Sequence, residues 1–94
     1  MKDIAKMDFD SVVKFINDGA EGKVEALSDE EAIKFEGRAV ELFSEAGDEK
    51  ILNSLAKISE MNILKMNAHF FDNLPGIWAI IQNGIEIVAK SAEA

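Results

Sequence analysis

An all-α fold is predicted for this 94-residue chain: one small four-helix bundle-like domain, completed by self-association. Three observations carry that prediction. Apolar residues recur at spacings of three and four in successive segments, which is the period of a helix face. Caps and glycines punctuate those segments where helices start and stop. No run alternates apolar and polar residues between hairpin turns, as a half-buried strand would. The expected helices cover approximately 9–18, 29–46, 48–72 and 75–91.

In the first helix Phe9, Val12, Val13 and Ile16 fall at i, i+3, i+4 and i+7. Asp8 stands at the N-cap, where a carboxylate accepts from free backbone N–H groups. Gly19 and Gly22, in the run NDGAEG, are expected to break the helix. The second helix opens on Ser28-x-x-Glu31, the spacing of a capping box. Acids at 29, 30 and 31 suit the positive end of its dipole. Ala32, Phe35, Ala39, Leu42 and Ala46 form its apolar stripe, flanked by Ile33, Val40 and Phe43. Gly47 is the expected stop. Gly37, inside the helix at a cost of about 1 kcal/mol relative to Ala, suggests a place where another helix crosses closely.

The third helix begins with Asp48 as cap and aligns Ile51, Leu55, Ile58 and Asn62 on one face, joined by Leu52. Its continuation through Phe70 is interrupted in pattern, because the stripe rotates near Met61–Ile63 and Asn62 and Asn67 are weak helix formers. The fourth follows Pro75, a favoured first-turn residue. Ile77, Ile81, Ile85 and Val88 make its stripe, widened by Trp78 and Ile80. The expected core comprises Phe9, Val13, Ile16, Phe35, Leu42, Phe43, Ile51, Leu55, Ile58, Ile81 and Ile85.

Composition narrows the function classes. Hydrophobic content of 48% argues against disorder, and a chain of this length makes one domain. With no cysteine there is no disulfide framework, thiolate nucleophile or cysteine-based metal site. MKDIAKMDFDSVV carries acids from residue 3 and lacks the apolar core of a secretory signal, so a cytoplasmic location is expected. The longest apolar stretch, Ile77 to Ala89, has 13 residues and contains Gln82, Asn83 and Glu86. A spanning helix needs about 20, so no membrane span is expected. The net charge of −8 opposes nucleic acid, a polyanion, and any charged partner should be a basic protein. That charge is uneven. Residues 1–50 hold 14 acidic and 7 basic side chains, whereas 51–94 hold 4 and 3.

No motif names a reaction, and no catalytic residue, metal or cofactor is expected. His69 is the one histidine, with Asp72 three residues on, and a helix-end pair explains both. No second histidine stands at a zinc-ligand spacing, and Asp8-x-Asp10 lacks the glycine and glutamate of a calcium loop. Gly19, Gly22 and Lys23 resemble part of a phosphate loop, but Val24 replaces its Ser/Thr and no strand precedes it.

An interaction surface remains. Ile77, Trp78, Ala79, Ile80 and Ile81 are consecutive and therefore circle the helix axis. The chain reads first as a non-enzymatic interaction module that self-associates, most simply as a dimer, or binds a partner through its apolar C-terminal half. The interface residues expected are Phe70, Phe71, Ile77, Trp78, Ile80, Ile81, Ile85 and Val88. A second reading is an acidic inhibitor or immunity-type protein. It would offer Asp29, Glu30, Glu31, Glu36, Glu41, Glu45, Asp48 and Glu49 to a basic enzyme. A third is a bundle holding an apolar ligand among Met61, Met66, Phe70, Phe71 and Trp78.

Overall fold

The computed structural model describes residues 3–56, 58 and 65–83. Among them all regular structure is helical and no strand occurs, so the chain is a small all-α domain. A 3-10 turn (Ile4–Lys6) leads into α1 (Phe9–Ala20), α2 (Asp29–Ala46) and α3 (Asp48–Ser54). A second 3-10 turn (Ala68–Phe71) precedes α4, which is helical over the described residues 75–83. The remainder of the expected 75–91 helix lies outside the described residues.

Local chemistry sets the starts of α1 and α2. The Ser11 N–H donates to Asp8 Oδ1 at 2.8 Å. That amide, and then the Ser11 hydroxyl, hold the Asp8 carboxyl below its ordinary value. A folded value below the unfolded one makes the cap fully stabilising above the ordinary aspartate range, and its contribution is lost as pH falls through the lowered value. Asp8→Ala should therefore lower the melting temperature at neutral pH and shrink the difference from wild type in acid. Equal melting of the two proteins at pH 7 would contradict the capping role. At α2, Ser28 Oγ accepts from the Glu31 N–H at 3.3 Å and Glu31 Oε1 accepts from the Ser28 N–H at 3.5 Å, closing the expected capping box.

The stops differ in part from expectation. α1 does not end at Asp18 but continues through Gly19 and Ala20. Its terminator is Gly22, at φ +78°, where the N–H donates to Gly19 O at 3.1 Å and the next N–H, of Lys23, donates to Asp18 O at 2.8 Å. These are the paired bonds of a Schellman cap, which needs a left-handed residue at that place. Gly47 ends α2 as expected, with φ +88° and its N–H donating to Phe43 O at 3.2 Å. Gly47 also occupies the cap position of α3, so Asp48 lies in the first turn rather than at the cap.

The single helix expected over 48–72 is not formed. α3 stops at Ser54, residues 65–67 are non-helical, and Ala68–Phe71 is a 3-10 turn. A long-range bond accounts for the second of these breaks, at 65–67. The Asn67 N–H donates to Ala20 O at 2.9 Å, so it satisfies a carbonyl exposed at the end of α1 instead of one in its own helix.

Aromatic rings tie these pieces together. Phe15 of α1 packs on Phe35 of α2 and on Phe70, at centroid separations of 5.1 and 5.5 Å. Phe70 meets Phe71 edge-on at 5.1 Å, and Phe71 meets Trp78 at 5.3 Å. Of the expected core, Ile16, Phe35, Phe43, Leu55, Ile58 and Ile81 are buried. Phe9, Val13, Leu42 and Ile51 are partly buried against it, and Ile85 lies outside the described residues. Val12, Phe70, Leu74 and Ile77 are fully enclosed and complete it. One carboxylate anchors α4: Glu36 Oε1 of α2 accepts from the Gly76 N–H at 3.1 Å, serving a first-turn donor with no partner inside its own helix.

Candidate functional site

The residues expected to form a subunit interface do not share one surface. Phe70, Phe71, Ile77 and Ile81 are buried in the chain's own core, so the expectation that they face a second copy is corrected. The correction has a physical cause. Phe71, in the turn before α4, packs on Trp78 at 5.3 Å, and Ile77 and Ile81 join one buried cluster with Phe35 and Phe70. Trp78 and Ile80 are half-buried and packed against that core. Ile85 and Val88 lie outside the described residues.

The other sequence candidates separate similarly. Met66, Phe70 and Phe71, expected around an apolar ligand, are packed core side chains, while Met61 is outside the described residues. His69 Nδ1 and Asp72 Oδ2 are 2.7 Å apart, and both side chains are largely exposed, which suits a solvated pair at the end of a 3-10 turn. Among the described residues no cluster of three or more His, Asp or Glu is placed to hold a metal ion. No described helix is long and apolar enough to cross a membrane. Several acids of the expected polyanionic face have local partners. Glu31 belongs to the capping box, Glu36 to Gly76, Glu41 to Arg38 at 3.4 Å, and Glu30 to Lys34 at 3.8 Å.

A different surface stands out on α2. Its buried face is Ala32, Phe35, Ala39 and Phe43. Ile33 and Val40, which flank that stripe in sequence, are instead 74% and 46% exposed. With Gly37 and Ser44, also exposed, they recur at spacings of four, three and four. At about 100° per residue this places them on one narrow seam, turned away from the core-facing stripe. Gly37 is not crossed by another element, contrary to expectation, since a Cβ built there would meet nothing within 4 Å.

The seam forms one wall of an open groove of about 570 Å³, with Asn73 and Pro75 at the start of α4 opposite Ile33, Gly37 and Val40. Past Val40 it leads into a smaller groove of about 270 Å³, bounded by Ser44 of α2, Ile51 and Leu52 of α3, and Ile80 of α4. Among the described residues, three carboxylates, Asp29, Glu36 and Asp48, line these two grooves, and no Lys or Arg does. Lys34 and Arg38 lie on the far side of the seam, against the N-terminal 3-10 turn, where Arg38 Nε donates to Met7 O at 2.9 Å. The four-three-four spacing was visible in the sequence, but a wide apolar stripe conceals which of its edges stays in water. No family model, curated protein or solved structure matches this chain.

Proposed function

We propose that this protein is a non-enzymatic helical protein–protein interaction module whose contact surface is the outer face of α2 with the adjoining start of α4. The observation that supports this reading is the exposure of Ile33 and Val40 beside a core that is already closed. A single exposed apolar residue is ordinary, but an aligned pair beside a groove is the kind of surface that marks association. The groove is open, which suits a chain segment better than a small molecule, whose sites enclose most of the ligand.

The test is a photo-reactive residue at position 40, compared with one at Glu49, which is also exposed. A discrete adduct in expressing cells from position 40, missing from position 49 and lost on Gly37→Gln, is the expected result. Equal labelling at both positions, or none, would overturn this reading. Self-association through α4 is the second reading, favoured by Trp78 and Ile80, which keep part of their surface in water. Light scattering over a dilution series separates it: a dimer that survives Gly37→Gln but not Trp78→Glu would belong to α4.

A further inference from the structure

We propose that the α2 groove receives an amphipathic helix of another protein, whose apolar seam is flanked by Lys or Arg side chains. This rests on the interaction-module reading and adds the identity of the occupant.

Shape comes first. Ile33, Gly37, Val40 and Ser44 have the spacing of a coiled-coil seam, and Ile33 to Ser44 covers about 17 Å at 1.5 Å per residue. Gly37 leaves room in the middle for a knob from the facing helix, because its missing side chain faces open space. The opposite wall is the turn residue Asn73 and Pro75 at the start of α4, and Ile80 of α4 continues it in the smaller groove. A helix laid here meets α2 on one side and α4 on the other, the arrangement by which amphipathic helices dock into grooves.

Charge then chooses between a second copy and a different protein. If two copies paired through this face, antiparallel or parallel, each would bring Asp29, Glu36 and Asp48 to the shared grooves. Either way, carboxylates are brought together in a partly dehydrated seam between chains of net charge −8 each, which is costly. Lys or Arg at the flanks of an incoming helix would meet Asp29, Glu36 and Asp48 with opposite charge, speeding encounter and fixing orientation. Long basic side chains also lay their methylenes along apolar surface while their ends reach the carboxylates.

The probe is an 18-residue helical peptide with Leu at the a and d positions and Lys at e and g. Two controls accompany it: the same design with Glu at e and g, and a scrambled isomer with the same composition but no apolar face. The full chain and Gly37→Gln are titrated with each labelled peptide by fluorescence anisotropy, at low and high salt, with melting curves on both proteins. Gly37 is exposed, so Gln there adds a better helix former without touching the core and should raise the melting temperature. The expected result is binding of the Lys peptide alone, weakened at least about tenfold by high salt and at least about tenfold by Gly37→Gln, since the side chain fills the seam. Equal binding of the Glu peptide would overturn the basic-partner assignment and leave the interaction-module reading standing. Equal binding of the scrambled peptide, or of the Lys peptide to Gly37→Gln, would show charge attraction without the groove and overturn the proposal. If no peptide binds and the chain dimerises through this face, the occupant is a second copy and the proposal fails alone. If no peptide binds and the chain stays monomeric with no adduct at position 40, the interaction-module reading fails with it.

Discussion

Phe70→Ala should cost about 3–5 kcal/mol, the largest loss expected from any one truncation described here. Phe70 is fully buried, and it touches Phe15 on α1 and Phe71 in its own turn. It therefore joins the first helix to the segment that delivers α4. Removing the ring takes away its transfer free energy and leaves a cavity between elements fixed independently by the Asn67–Ala20 bond. Such walls collapse poorly, which favours the upper part of the range. Urea unfolding followed by far-UV circular dichroism would measure it. A midpoint within experimental error of wild type would mean that the ring is not enclosed as described.

Gly19→Ala should destabilise as well, even though alanine is the better helix former by about 1 kcal/mol. A Cβ at Gly19 would run into the flank of the Phe70 ring. That ring cannot swing aside, because it is fully buried and other rings pack against it. Overpacking of this kind costs about 1–3 kcal/mol, so the net effect should be a loss of up to about 2 kcal/mol. Coupling is the sharper readout. In a double-mutant cycle with Phe70→Leu, which takes away the ring edge, the penalty of Gly19→Ala should shrink by about 1 kcal/mol or more. Strict additivity of the two changes would deny the contact. Gly37 has the same helix-interior status and the opposite expectation, because nothing faces it. The sign of a glycine substitution in this chain is thus set by what lies above the backbone, not by propensity.

The contrast between these glycines shows where sequence reasoning holds here and where it does not. The caps at Asp8 and Ser28 were legible because each bond spans three residues, and the Gly47 stop was legible for the same reason of locality. The break at 65–67 showed only as an interrupted stripe and a weak helix former at Asn67, because the bond behind it joins Asn67 to Ala20, forty-seven positions apart. Likewise, Glu36 reads as one more surface acid until Gly76 comes beside it. Helical periodicity placed Ala32, Phe35 and Ala39 on the buried face, while Leu42 and Ala46 of the same stripe are only partly buried and Phe43 at its edge is buried. It could not say that Ile33 and Val40, at the edge of the same stripe, stay exposed, since that depends on where α4 packs. The error at Phe70, Phe71, Ile77 and Ile81 has the same origin. An apolar helix in a small domain looked like surplus surface, yet Ile77 and Ile81 are enclosed in the cluster that also holds Phe35 and Phe70.

On this proposal, α2 carries the working surface of the protein on its outer seam. Methyl chemical-shift mapping with the Lys-flanked helical peptide tests it most directly, because isoleucine and valine methyls report on both the seam and the core. The Ile33 and Val40 methyls should shift on titration, while Ile16 and Val12, enclosed in the core, stay in place. Shifts at Ile80 alone, general movement of the core methyls, or silence at Ile33 and Val40 would contradict it.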